Sequence, residues 1–224
     1  MADDQSKREF SDTTRAHLLS LEAMDKSLLD VTFRMLQADS GRMFPVDLIA
    51  AAAANRSLNL LSGFVAMVRA RNLVCAIAIL RLQLDTALRL GALSLVDDPH
   101  ALAQQVVKGE QLRRLRDRKG IAMTDAHLVD VFSTEAPWIR EVYDLGCNYV
   151  HLSEAHVRHV FGPGRRPGMA SVQVGASDPA DFHESNYTEA ISGFHGSIGF
   201  LCHVIESWVS AKNGTQAPSD PKVP

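Results

Sequence analysis

Residues 73–96, LVCAIAILRLQLDTALRLGALSLV, decide the fold, because charged residues interrupt a long apolar run at one helical spacing. Arg81, Asp85 and Arg89 are each four residues apart, and residues at this spacing lie on one face of an α-helix. The remaining positions are mainly Leu, Ile, Ala and Val, which suit a protein core. The stretch therefore predicts a largely buried helix that carries a single polar stripe.

The segments on either side also have helical character, because their apolar residues recur at intervals of three and four. The other predicted helices span residues 11–38, 46–71, 99–119, 125–132, 133–156 and 185–212. Residues 157–178 differ, because β-favouring runs flank GPGRRPG (162–168) and indicate a small β-hairpin or irregular insertion. We expect an all-α bundle of about five to six long helices. It forms a single domain over 10–212, with disordered tails at 1–9 and 213–224.

Composition and charge exclude several classes of protein. The chain has 224 residues, of which 46% are hydrophobic, and a formal net charge of −3, so no global positive field attracts nucleic acid or membrane. The three cysteines, Cys75, Cys147 and Cys202, are odd in number and widely spaced, which argues against a disulfide framework. The polar start MADDQSKREF is not a signal peptide. A reducing, cytoplasmic location is expected.

Two apolar stretches, 46–68 and 73–96, raise the question of a membrane-spanning helix. The first contains Asn55, Arg56 and Asn59 near its middle, and the second contains three charged residues. Each charge at the centre of a spanning helix costs about 2.5–3.5 kcal/mol. We therefore expect both to be helices of a protein without a membrane association.

A second polar stripe is formed by Tyr143, Cys147 and His151 in the predicted helix 133–156. A buried charge without a partner is costly, so the polar groups must either pair with one another or line a wet pocket. In the first interpretation Arg81 pairs with Asp85 and fixes the helix register; in the second a polar pocket lies between the helices. The residues predicted to line it are Asn55, Arg56, Asn59, Asp85, Tyr143, Asn148 and Ser153.

The segments CAIAILRLQLDTALRL (75–90) and VYDLGCNYVHLSEAH (142–156) resemble bacterial helical families related to the HEPN superfamily. Those families carry an Arg and an acidic residue four positions apart in one helix, here Arg81 and Asp85. A later helix carries a Tyr and ends in Val-His-x-Ser, which matches Tyr143, His151 and Ser153.

The resemblance implies an all-α bundle that is often dimeric, and hence a homo-oligomer. Active HEPN members are metal-independent RNases with an Arg-x(4–6)-His signature, in which His carries protons and Arg steadies the phosphate charge. If these two roles apply to this chain, the resemblance implies that His151 and Arg81 are the catalytic candidates. The chain departs from the signature, because residues 144–146 before His151 are Asp, Leu and Gly, so the cation would have to come from Arg81.

The run KGEQLRRLRDRKG (108–120) has a local excess of positive charge. It reads either as a solvated helix face or as a phosphate-binding patch for RNA. The candidate nucleic-acid-binding residues are Arg113, Arg114, Arg116 and Arg118. HExxH, CxxC and EF-hand patterns are absent from the sequence, so no metal ligand or cofactor is predicted.

Three functional hypotheses follow from these observations. The leading one is a HEPN-like protein of RNA-related or defence/toxin-type regulation, with RNA as partner. The second is a non-enzymatic helical protein that binds a partner protein and whose polar stripe only enforces packing. The third is a helical bundle with a pocket for a small ligand or a metal.

Overall fold

Residues 9–163, 166, 168–178 and 182–214 are described by the computed structural model. The helices are α1 (Asp12–Glu22), α2 (Met24–Gln37), α3 (Pro45–Arg69), α4 (Leu73–Gly91), α5 (Pro99–Val107), α6 (Asp125–Phe132), α7 (Trp138–Val150), α8 (Glu154–Val160) and α9 (Ser185–Gly214). Short 3-10 helices cover Asp39–Gly41, Ala92–Leu95 and Leu112–Arg114. The strands β1 (Phe161–Pro163) and β2 (Ala170–Val172) pair antiparallel, with Phe161 opposite Val172. This confirms the predicted all-α bundle with a small hairpin.

Helix α4 lies at the centre of the bundle and packs against α3, α6, α7 and α9. It begins where the Asn72 side chain accepts a hydrogen bond from the Cys75 N–H at 3.0 Å, as an N-cap residue does. Leu80, Leu84 and Leu88 point into the core and are at most 2% exposed. The central helix is therefore the one that the apolar run 73–96 predicted, and it places the polar stripe on the outer side of the core.

Helix α3 is the one described helix whose length and composition would allow it to cross a membrane. In the structure, 33% of its most apolar 18-residue window is buried inside the protein. Pro45 starts this helix, where a missing N–H costs nothing. The backbone N–H of Phe44 donates to the Asp47 carboxylate at 2.7 Å, which satisfies a further group at the helix start. Along its length α3 packs against α2, α4, α5 and α9.

The last helix is fixed to the bundle by a buried ion pair near its end. Lys212 Nζ donates to Asp47 Oδ2 at 3.0 Å and to the Met35 carbonyl at 2.9 Å. Trp208 Nε1 donates to the other Asp47 oxygen at 2.8 Å. Asn213 accepts a hydrogen bond from the Asp39 N–H at 3.1 Å. Helix α9 consequently extends to Gly214, two residues into the predicted tail, and residues 1–8 and 215–224 of the two tails lie outside the described residues.

Four predicted helix boundaries were wrong. The helix predicted over 73–96 ends at Gly91, and a 3-10 helix over Ala92–Leu95 follows it. The helix predicted over 11–38 is divided at Ala23 into α1 and α2. The helix predicted over 99–119 ends at Val107, because Gly109 has a φ of +94°, which no right-handed helix accommodates. The helix predicted over 133–156 begins only at Trp138.

The predicted helix 133–156 also breaks near its end. His151 has an extended backbone with φ −105° and ψ 142°, and α8 starts three residues later. The VRHVF run (157–161), predicted to favour a strand, lies in α8 up to Val160, and only Phe161 belongs to β1. Ser153 explains this, because its side chain caps a new helix that continues through the run.

Candidate functional site

The polar stripe of α4 forms an ion cluster in which Arg89 is the main partner of Asp85. Arg89 Nε lies 2.8 Å from both Asp85 oxygens, whereas Arg81 Nη1 is 4.0 Å from the nearer one. The predicted Arg81–Asp85 pair is therefore only a marginal contact. Burial acts to lower the pKa of Arg89, but the hydrogen bond and charge of Asp85, with the charge of Asp125, outweigh it and hold that pKa above its ordinary value.

Asp125 completes the cluster from the first turn of α6. Its carboxylate lies 2.8 Å from Arg89 Nη2 and 3.6 Å from Arg81 Nη2. The Thr124 side chain caps α6 and so places Asp125 where an acidic group is favoured by the helix dipole. We did not predict Asp125 as a site residue; the sequence shows it only as a helix-start residue, and its partners lie 36 and 44 positions away.

Arg81 turns towards α7 and lies flat on Tyr143, with its Cζ 4.2 Å from the ring centroid. Gly146 makes this possible, because a Cβ built there would lie 2.8 Å from the Arg81 side chain. Burial, and then the neighbouring Cys147, raise the pKa of Tyr143 against the opposing effect of Arg81. The structure thus brings Arg81 and Tyr143 together across α4 and α7.

His151 lies away from this contact. It follows the last residue of α7 and is exposed, and no hydrogen bond or ion pair links it to Arg81 within the described ranges. Ser153 Oγ donates to the Asn148 carbonyl at 2.6 Å and accepts from the Ala155 N–H at 3.2 Å, so it caps α8. The Asn148 residue is exposed. The expected grouping of His151, Asn148 and Ser153 with Arg81 was wrong, because α7 ends at Val150.

The two predicted asparagines of α3 do not line a pocket either. Asn55 and Asn59 are exposed, and the Asn59 amide donates to the Asn55 carbonyl at 2.7 Å. Arg56, the residue between them, turns instead towards α4, where its Nε donates to Thr86 Oγ1 at 2.9 Å. Helical geometry accounts for the difference, since residues 55 and 59 share a face that points to solvent.

Arg56 lines a cavity of about 650 Å³ between α3, α4, α5 and the segment that follows α5. Its apolar wall is formed by Ile49, Ala52, Ala53, Leu90, Leu93, Leu102, Val106 and Leu112. Its polar groups are those of Arg56, Asp85, Thr86, Arg89, Glu110, Gln111 and Arg113. We call this cavity the arginine cleft. A cleft with a mainly apolar wall and a few polar groups is the usual form of a small-ligand site.

The charges of the arginine cleft are unevenly compensated. Arg89 is paired with Asp85 and Asp125. Arg56 and Arg113 form hydrogen bonds, to Thr86 and Gln111, but no ion pair with any residue that the structure describes. Among the described residues the lining therefore carries two positive charges without an ion pair, Arg56 and Arg113, against one such negative charge, Glu110.

The arginine-rich run 108–120 forms an ordered loop rather than the helix face that we expected. Arg118 donates to the carbonyls of Ser94, Leu95 and Val96 at 2.6–3.2 Å, and Arg116 donates to the Gly120 carbonyl at 2.7 Å. These two guanidinium groups are thus engaged in holding the loop. Arg113 and Arg114 are exposed.

A pair between Asp117 of the same loop and His127 of α6 was not predicted from the sequence. His127 Nε2 lies 2.8 Å from Asp117 Oδ2, and Asp117 also accepts from the N–H groups of Lys119 and Ile121 at 2.9 and 2.8 Å. These hydrogen bonds, that from Ile121 foremost, hold the pKa of Asp117 below its ordinary value. The pair holds the loop against α6, and no sequence motif predicts it.

Among the described residues, no three His, Cys, Asp or Glu side chains lie close enough together to hold a metal ion. Cys75, Cys147 and Cys202 are free thiols. The candidate site is accordingly the arginine cleft together with the Arg81, Asp85, Arg89 and Asp125 cluster behind it.

Comparison of the chain with known protein families, with curated proteins and with solved structures found no match.

Proposed function

We propose that this protein binds a small amphipathic anion, with an apolar body and a carboxylate or phosphate group, in the arginine cleft. The observation that carries the proposal is Arg56, whose charge has no carboxylate partner in the described part of the chain although the residue lines an apolar cavity of about 650 Å³. A guanidinium group is a preferred partner of both carboxylate and phosphate.

The geometry around Arg56 is suited to recognition because the guanidinium is positioned before a ligand arrives. Thr86 is 6% exposed and fixes Arg56 Nε, which leaves the two Nη groups without a hydrogen-bond partner among the described residues. Thr86 is itself fixed, since its hydroxyl donates to the Leu82 carbonyl at 2.8 Å. A side chain that is already ordered loses little conformational entropy on binding.

Calorimetry with decanoate tests the proposal, with 1-decanol as a probe of the same length without charge. We expect saturable binding of decanoate, and Arg56→Ala to weaken it by about tenfold or more, as the loss of a charge-assisted hydrogen bond predicts. Arg56→Lys should recover little, because an ammonium group cannot bond to Thr86 and the anion in the same way.

Arg15→Ala is the matched control, since Arg15 is exposed, pairs with Asp12 three residues away and does not line the arginine cleft. It should bind decanoate like the wild type. Equal affinities for decanoate and decanol, or an unchanged affinity in Arg56→Ala, would refute the proposal.

A second candidate is RNA-related regulation of the HEPN-like kind. The observation that favours it is the contact of Arg81 with Tyr143, the two residues that the resemblance assigns to an earlier and a later helix, together with exposed Arg113 and Arg114 beside the cleft. With His151 exposed beyond α7, the geometry supports RNA binding better than cleavage.

Filter binding of single-stranded RNA tests this candidate. We expect weakening by Arg113→Ala and Arg114→Ala that disappears at high salt, since phosphate contacts are salt-dependent. RNA incubated with excess protein and chelator, compared with His151→Ala, tests cleavage in the same samples. No retention of RNA at low salt would remove the candidate.

A further inference from the structure

We propose a second ligand site, separated from the arginine cleft by Leu93, which lines both cavities, and this site accepts an organic cation with an apolar body. It is a cavity of about 730 Å³ between the α6–α7 corner, the segment 93–99 and the C-terminal half of α9. We call it the aromatic cavity. Its apolar lining comprises Val46, Leu93, Leu95, Pro99, Val131, Phe132, Ala136, Ile139, Phe200, Val204, Trp208 and Ala211.

The aromatic walls of this cavity are fixed in place by their own contacts. Phe132 and Phe200 pack edge to face with ring centroids 5.1 Å apart, and both rings rest on Gly91, where a Cβ would lie 3.0 Å from each. Trp208 is oriented by its hydrogen bond to Asp47. Three rings that are positioned in advance form a surface that stacks on an apolar body and attracts a cation.

The charge of the lining indicates which ligands fit. Glu135 is the one carboxylate among the lining residues, and no Lys or Arg lines the cavity. The Glu135 residue is exposed and has no hydrogen-bond or ion-pair partner among the described residues. His203 and Ser207 supply the remaining rim groups together with Ser94. An uncompensated carboxylate beside aromatic rings complements an ammonium group, whereas the arginine cleft complements an anion.

The volume fits an occupant of ordinary ligand size, since pockets for small molecules measure about 300–1,000 Å³. Ile139, Val46 and Leu93, which line the cavity, are at most 7% exposed, so an apolar group packed against them would be removed from water on that side. The negative charge of Glu135 is what favours a cation, because the apolar wall by itself would accept any apolar molecule.

Tryptophan fluorescence tests this proposal, because the chain contains two tryptophans and Trp138→Phe leaves Trp208 as the reporter. The probe is 4-phenylbutylammonium, with 4-phenylbutanol and 4-phenylbutyrate as neutral and anionic analogues. We expect a saturable change in Trp208 emission and an affinity for the cation about tenfold above that for the alcohol. Calorimetry on the wild-type protein should give the same affinities, which shows that the Trp138→Phe substitution does not alter binding.

Glu135→Gln should abolish the preference for the cation while the alcohol binds as before. Arg56→Ala, in the arginine cleft, should change neither the preference for the cation nor the affinity for the alcohol. An absence of saturable binding, equal affinities for the three analogues, or an unchanged preference in Glu135→Gln would overturn the proposal. Sedimentation showing a dimer that no analogue perturbs, with Trp208 buried in it, would assign the cavity to a second copy of the chain and overturn the proposal as well.

Discussion

At the scale of single residues, Gln83 lies fully buried in α4, and neither of its amide atoms has a hydrogen-bond partner among the described residues. A buried polar group without a partner costs about 1–3 kcal/mol of stability. Methionine has a similar length and no polar group to desolvate. The burial of the Gln83 amide therefore lowers the free energy of unfolding.

Gln83→Met is expected to raise the free energy of unfolding by about 1 kcal/mol, measured by urea denaturation. Gln104→Met is the control, because Gln104 is exposed on α5 and its substitution should leave stability nearly unchanged. A clear loss of stability in Gln83→Met would contradict the prediction and would mean that the amide is hydrogen-bonded in solution.

The cysteines should differ in reactivity for a reason that lies in their surroundings. Burial raises the pKa of Cys202 to about 11, whereas Cys75 is exposed. Since the thiolate is the reactive form, only about one in a thousand Cys202 thiols is ionised at pH 8. In a Cys147→Ser background, iodoacetamide should modify Cys75 much faster than Cys202, as peptide mass spectrometry would show. Equal rates at pH 8 would contradict this assignment.

At the scale of elements, the contact between α4 and α7 depends on Gly146, which leaves room for the Arg81 side chain. Gly146→Ala is expected to destabilise the protein by about 1–3 kcal/mol, because its methyl group would overlap Arg81. Thermal unfolding measures the effect. In an Arg81→Gly background the same substitution should cost much less, since the Cβ, Cγ and Cδ atoms of Arg81 that the new methyl group would overlap are gone.

Gly199→Ala in α9 provides the opposite control, because nothing lies within 4 Å of a Cβ there. It should stabilise the protein by up to about 1 kcal/mol through helix propensity alone. If the two glycine substitutions had the same effect, the close approach of Arg81 to α7 would not exist in solution.

At the scale of the whole molecule, Glu184 joins the N-terminal end of the chain to the last helix. It accepts hydrogen bonds from the Ser11 N–H at 2.9 Å, the Ser11 hydroxyl at 2.5 Å and the Thr14 hydroxyl. The side chains of Ser11 and Thr14 hold the pKa of Glu184 below its ordinary value. A depressed pKa in the folded state stabilises the fold above the unfolded-state pKa, which is about 4.3.

This stabilisation should therefore be present at neutral pH and be lost as the pH falls below about 4.3 towards the folded-state pKa. Urea unfolding between pH 6 and pH 3.5 measures it. Glu184→Gln should lower stability at pH 6 and flatten the pH dependence, whereas Glu189→Gln, which alters an exposed residue of α9, should do neither. A pH dependence that survives in Glu184→Gln unchanged would show that other groups produce it.

The sequence predicted the helical architecture well where a local signal exists. Helix α6 was placed correctly at 125–132, where the structure shows Thr124 capping its start, and α4 follows the apolar period of its own run. The break at His151 was missed, because the apolar pattern continues through it and a serine cap competes with a longer helix.

The candidate site was harder to predict than the fold, because its contacts join residues far apart in the chain. The polar stripe of α4 was visible, but the pairing of Arg89 with Asp125 and of Arg56 with Thr86 depends on how the helices pack. The helical period of 3.6 residues shows which residues share a face, but it does not show which other helix that face packs against. For this reason Arg56 was grouped with Asn55 and Asn59, which face solvent instead.

The most direct test of the central claim is the nitrogen-15 NMR signal of the Arg56 side-chain Nε–H, followed while decanoate is added. The signal is assigned by its disappearance in Arg56→Lys, and Arg15 supplies an internal reference. Binding in the arginine cleft predicts a saturable shift of the Arg56 signal, with the dissociation constant found by calorimetry and no shift of Arg15. An Arg56 signal that stays in place while calorimetry reports binding would contradict the claim.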